Sequence, residues 1–114
     1  MVPRTPDDYL PLSPSVFHVL ISLSAGERHG YLIMREVSDR TQGKVRMSTG
    51  TLYGLIRRLL ADGLIVEVPA GDPRRRAYRL TPFGRDVARA EAARLEALVD
   101  AARATRLLGR AGTR

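Results

Sequence analysis

Three amphipathic helical stretches, a short arginine-crowded hairpin and a long closing helix predict a mostly helical α+β fold. The arrangement is that of a winged helix-turn-helix with an added C-terminal dimerisation helix. The clearest of these observations lies in residues 48–65. There Leu52, Leu55, Ile56, Leu59 and Leu60 recur at i, i+3, i+4, i+7 and i+8, one continuous stripe for a core. The helix stops at Gly63 and runs into the β-rich residues 64–68. The second observation is the arginine run Arg74-Arg75-Arg76 at the tip of a hairpin, after the turn Pro69-Ala70-Gly71-Asp72-Pro73, with Arg76 to Leu80 reading as the returning strand.

Taken in order, residues 1–12 are proline-rich and mixed in charge, and are expected to form a loose arm or a partly docked extension. Ser13-Pro14 supplies a hydroxyl cap with proline at the first helical position. Val16, Phe17, Leu20, Ile21 and Leu23 then give a broad apolar face, closed by Ala25-Gly26-Glu27-Arg28. Gly30 opens a second helix, with Tyr31, Ile33, Met34 and Val37 at helical spacing, ending between residues 41 and 43. Ser48 caps the third. Rotation by about 100° per residue puts Gly50, Tyr53, Gly54, Arg57 and Ala61 opposite the leucine stripe, with Thr51 and Arg58 at its border. So small a face can slide close to a groove wall. Thr81-Pro82 repeats the cap and starts a helix expected to run from Phe83 to about Leu108. It carries a Leu95, Leu98, Val99 and Ala102 stripe and two i,i+3 ion pairs, Glu91–Arg94 and Asp100–Arg103. The expected domains are an arm (1–12), a winged helix domain (13–81) and a dimerisation helix with tail (82–114). No internal repeat or second domain is visible.

At 114 residues the chain is one domain with a modest core. It has no cysteine, so disulfides, thiolate zinc sites and cysteine nucleophiles are excluded. His18 and His29 lack supporting ligands at metal spacing, and no paired carboxylates or Ser-His-Asp grouping stands out. An enzyme, a metal and a cofactor are therefore not expected. Nor is a signal peptide or membrane span, and a cytoplasmic location is expected. The formal charge is +7. Between Lys44 and Arg79 lie eight basic residues against three acidic ones, all but one of the eight being arginine. The last helix is near neutral. A basic stripe on one module marks a polyanion binder, and arginine favours bidentate phosphate and guanine contacts.

These motifs resemble the PadR family of bacterial transcriptional regulators, from about Leu12 to Gly84. The resemblance rests on His29-Gly30-Tyr31, on Gly50-Thr51-Leu52-Tyr53 followed by Arg58-Leu59, on Asp62-Gly63-Leu64-Ile65, and on Arg75-Arg76-Ala77-Tyr78-Arg79-Leu80-Thr81 with Gly84. One helix after the wing is similar to the short-tailed subgroup. That implies a homodimer built on the last helix, often with the first, repressing genes until a small-molecule effector or stress signal releases it. The chain departs from the family at Ala77, where a second wing tyrosine is common, and at Leu60, where many members carry an acid.

Double-stranded DNA is the expected partner. Ser48, Thr49 and Thr51 with the first-turn amides of the third helix are expected to meet phosphate. Tyr53 and Arg57 are expected to reach the groove floor or its edges, where an arginine on guanine is worth about 1–3 kcal/mol of discrimination. Arg74, Arg75 and Arg76 would straddle backbone or enter the minor groove, and Lys44 and Arg46 would touch phosphate. For Arg58 a structural ion pair is the competing reading. Leu95, Leu98, Val99 and Ala102 are assigned to dimerisation, which implies a pseudo-palindromic operator with half-sites about 34–36 Å apart or a multiple of that. The alternative is a winged-helix protein-interaction module that does not read DNA.

Overall fold

Hydroxyl caps start three of the four helices in the computed structural model, which describes residues 4–69, 72 and 75–109. Helix α1 (Pro14–Ser24) begins where Ser13 Oγ accepts the Val16 N–H at 3.2 Å. Helix α2 (Gly30–Arg40) follows His29 without a side-chain cap. Helix α3 (Thr49–Ala61) begins where Ser48 Oγ accepts the Thr51 N–H at 3.1 Å, and α4 (Pro82–Ala104) where Thr81 Oγ1 accepts the Gly84 N–H at 2.9 Å. Each cap satisfies one amide that the helix itself leaves without an acceptor.

Left-handed residues end α2, α3 and α4. Gly63 (φ 75°) follows α3, and the Leu64 N–H returns to Leu59 O at 3.0 Å. Helix α4 stops at Ala104 rather than near Leu108. Arg106 takes φ 65° and the Leu107 N–H bonds Ala102 O at 2.9 Å, a closing turn made without glycine.

Strands β1 (Arg28–His29), β2 (Ile65–Val68) and β3 (Ala77–Leu80) form an antiparallel sheet in the order β1-β3-β2. The hairpin matches expectation; β1 does not, since residues 25–28 read only as a helix ending. Two residues are too few to show alternation. Strand β1 pairs Arg28 with Tyr78 and His29 with Ala77. That makes β3 central, with Ala77, Tyr78 and Leu80 buried and Arg79 exposed.

The core draws Val19, Leu20 and Leu23 from α1, Ile33 and Val37 from α2, and Leu52, Ile56 and Leu59 from α3. Leu64, Ile65, Tyr78, Leu80 and Val87 complete it. Full burial of such side chains stabilises by about 1.5–3 kcal/mol each. Two expected core faces are narrower than the sequence implied. Phe17 and Ile21 are half-buried and do not join this cluster, and Tyr31 is 71% exposed.

Two junctions fix the long helix against the domain. A Cβ at Gly84 would overlap the Leu64 carbonyl oxygen, and the Thr81 hydroxyl donates to Gly63 O at 2.7 Å. The start of α4 is thereby pressed onto the turn that follows α3. The second junction is the arm, which docks. It forms one helical turn, Pro6–Tyr9, with the Asp8 carboxylate accepting the Thr5 N–H at 2.8 Å. Tyr9 meets Phe83 edge-on with centroids 5.6 Å apart, and Arg4 lies 3.5 Å from Asp62. The Leu12 N–H donates to the carboxylate of Glu91 at 2.9 Å. Glu91 is 1% exposed, and Arg94 also holds it. The Arg94 bond, ahead of the Leu12 amide, keeps this carboxyl below the usual carboxylate range despite burial. The second expected pair, Asp100–Arg103, is present at 3.6 Å.

Candidate nucleic-acid interface

The head of α3 is open. Ser48, Thr49, Gly50 and Thr51 are all exposed, and a Cβ at Gly50 would meet nothing within 4 Å. Ser48 Oγ also donates to Thr51 Oγ1 at 3.0 Å, which sets both hydroxyls side by side at the helix tip. The first amides of the helix point out beside them, the positive end of its dipole.

One turn further on, Arg57 is exposed and its guanidinium passes over Gly54, 3.9 Å from where a Cβ would stand. Tyr53 departs from the fully solvent-facing position that helical rotation gave it. It is half-buried, and a Cβ at Gly30 would lie 2.8 Å from its hydroxyl oxygen. Gly30 therefore lets α2 begin directly against the Tyr53 ring, which fixes the ring at the seam between the two helices.

Tyr53, Arg75 and Arg76 come together around one cleft of about 320 Å3, with His29, Gly30, Tyr31 and Leu32 on its other wall. The Arg75 N–H bonds Asp72 O at 2.9 Å, and Arg76 lies 3.7 Å from Glu67 with both side chains largely exposed. Arg74 lies outside the described residues. The cleft thus joins α3 to the hairpin. Inside the hairpin the Tyr78 phenol is pushed up by burial first, then by Tyr53 and Glu67.

Lys44 and Arg46 are exposed on the loop before α3. Thr41 Oγ1 holds that loop, accepting the Val45 N–H at 3.0 Å and donating to Val37 O at 2.8 Å. Arg46 borders a second groove with Tyr31, Met34 and Arg35, so Tyr31 stands between both grooves. Tyr31 and Arg35, one turn apart on the exposed side of α2, line these grooves and were not among the expected site residues. Counting Tyr31 among apolar residues hid them; the i,i+4 spacing opposite Ile33 and Val37 was the available signal. Arg58 is exposed and makes no ion pair among the described residues, so the competing reading of a structural ion pair is not supported.

On α4, Leu95, Val99 and Ala102 are half-buried, Leu98 is 56% exposed, and none belongs to the core cluster. Among the described residues no group of three or more His, Cys, Asp or Glu could hold a metal ion, and no helix is long and apolar enough to cross a membrane.

A capped helix seated between a helix-turn-helix partner and a basic hairpin defines the winged helix-turn-helix class. The family model described as "Transcriptional regulator PadR-like family" matches residues 19–90, and the chain belongs to that family. A curated relative, Transcriptional regulator Rv3488 of Mycobacterium tuberculosis, is 44% identical over 70 residues, covering 60% of this chain and 63% of the relative. The match therefore spans less than two thirds of that relative's length. Among solved structures, a transcriptional regulator from Clostridium thermocellum superposes with TM-score 0.69 at 25% identity, over 76% of this chain and 84% of the other. A PadR family regulator from Clostridium difficile R20291 shares the fold, with TM-score 0.68 at 18% identity over 82% and 98% of the two chains. The family is one of transcriptional regulators, not enzymes.

Proposed function

We propose that this PadR-like regulator binds a specific DNA operator as a homodimer, with α3 in the major groove and the wing on the flanking backbone. In that pose Arg57 reads a base edge, while Tyr53 steadies α3 against α2 and touches the groove edge. Ser48, Thr49, Thr51, Lys44 and Arg46 meet phosphate, and Arg75 and Arg76 clamp the neighbouring strand, a role also assigned to Arg74, the residue before them in sequence. The observation that carries this reading is the shared cleft of Tyr53, Arg75 and Arg76 beside the open head of α3. A reading helix and a basic wing on one face offer donors to two adjacent phosphate tracks.

The dimer reading is supported by the apolar residues of α4 that lie off the core, Leu95, Leu98, Val99 and Ala102, with Phe17 and Ile21 of α1 also outside it. Two-fold symmetry then makes the operator pseudo-palindromic. Repression released by a small molecule is the regulatory part of the proposal.

The test is fluorescence anisotropy with the full chain and a labelled duplex from its own upstream region, against a scrambled duplex of equal length. Affinity for the upstream duplex at least a hundredfold above the scrambled one is expected. Equal affinity for the two would refute operator recognition.

A further inference from the structure

Arginine supplies all but one of the nineteen Lys and Arg side chains, and the single lysine, Lys44, stands on the turn between α2 and α3. The two cations differ in chemistry more than in charge. A guanidinium keeps its proton and is a poor nucleophile, whereas a lysine amine can release its proton and attack an acyl carbon. Seven of the eight basic residues between Lys44 and Arg79 are thus inert towards acyl donors, and one is not.

The turn presents that residue on a fixed backbone. Gln42 and Gly43 both take left-handed conformations, φ 51° and 76°, and the Gly43 N–H returns to Ser38 O at 2.7 Å. The Lys44 N–H donates to Thr41 O at 3.1 Å, and the Val45 N–H to Thr41 Oγ1 at 3.0 Å. Val45 then packs against the core. Between these anchors the Lys44 side chain is exposed and takes part in no ion pair among the described residues. An amine on an ordered surface turn is open to a reagent from solvent.

We propose that Lys44 is an acylation site whose donor is an acyl phosphate, and that acylation loosens the protein from its operator. The regulatory half rests on the DNA-binding reading above, in which Lys44 meets phosphate. In the reaction the neutral Nζ attacks the carbonyl carbon and a C–N bond forms. The bond from that carbon to the phosphate oxygen breaks, inorganic phosphate departs with the electron pair, and the amine proton passes to solvent. The product is a neutral amide in place of an ammonium. One phosphate contact is lost, equivalent to about 0.9 in the slope of log K against log salt and to about fivefold in affinity near about 0.15 M salt.

Acetyl phosphate is the probe, incubated with the full-length protein without DNA and followed by peptide mass mapping. Acetylation of Lys44 is expected, resolved in the map from any on the N-terminal amine. Lys44 left unmodified in the folded protein overturns the site. Saturating operator duplex should slow the reaction at Lys44 at least tenfold, because DNA covers the same side chain. In a second arm, full-length protein carrying Nε-acetyllysine at position 44, its folding checked by circular dichroism, is titrated against the operator duplex beside the unmodified protein. The lower affinity and flatter salt slope given above are expected. Absence of protection by DNA, or unchanged affinity and slope, overturns the regulatory half. Lys44→Arg, compared before and after acetyl phosphate treatment, should show no change in its own operator affinity; a loss equal to that of the treated wild type overturns the regulatory half as well. Failure of the unmodified protein to prefer its operator refutes the DNA reading and leaves the acylation site standing on the first arm.

Discussion

At the scale of single residues, Gly54 and His18 separate what stability needs from what binding needs. A Cβ at Gly54 would meet only the Arg57 guanidinium, at 3.9 Å. Gly54→Ala is therefore expected to stabilise the protein by about 0.5–1 kcal/mol through helix propensity. The same methyl group stands on the face proposed to approach DNA, so operator affinity should fall; a chemical melt and an anisotropy titration check the two halves. His18 shows the opposite dependence, on protons rather than on space. Its pKa is lowered, first by burial and then by the positive charge of Arg40, whose Nη1 lies 3.2 Å from Nδ1. Unfolding frees the ring to take up a proton. The stability from the neutral ring is thus fully present above the ordinary histidine value of 6.5 and is lost as pH falls through the lower folded value. Urea melts at pH 7.5 and pH 5.5 should show lower stability at the acid end, and His18→Gln should shrink that difference.

Among the elements, the contact of α4 with the turn after α3 sets how α4 leaves the winged helix domain. Gly84 sits where any side chain would strike the Leu64 backbone. Gly84→Ala must push α4 away from that turn, and overpacking of this kind costs about 1–3 kcal/mol. A thermal melt should show the loss as a drop of about 4–8 °C per kcal/mol. The sequence displayed much of this level. Ser13, Ser48 and Thr81 announced three helices, the leucine stripe oriented α3, and Gly63 placed its end. What it hid depends on tertiary contact. Strand β1 exists because β3 lies beside it, and α4 ends at an arginine in a glycine-like conformation. The arm docks through Leu12 and Glu91, residues 79 positions apart, whose pairing no local pattern encodes. The site was legible in the same uneven way. The exposed head of α3 and Arg57 followed from helical rotation, whereas the half-burial of Tyr53 follows from the absence of a side chain at Gly30 on the neighbouring helix.

At the scale of the whole molecule, the proposed function joins charge to symmetry: a basic face on each protomer and an apolar stripe on α4 that pairs two of them. Leu98 is 56% exposed on a helix whose polar neighbours are mostly charged, a position that a partner chain would cover. Leu98→Glu should convert the proposed dimer to monomer in sedimentation velocity without lowering the thermal midpoint of the monomer fold, and operator affinity should fall with it. The charge half admits the most direct measurement, the salt dependence of operator binding. Each neutralised phosphate contributes about 0.9 to the slope of log K against log salt. The double variant Arg75→Ala/Arg76→Ala should flatten that slope by about 1 for each phosphate it no longer neutralises, while keeping the order of preference among operator sequences. An unchanged slope in this variant, or wild-type binding indifferent to salt, would contradict the account.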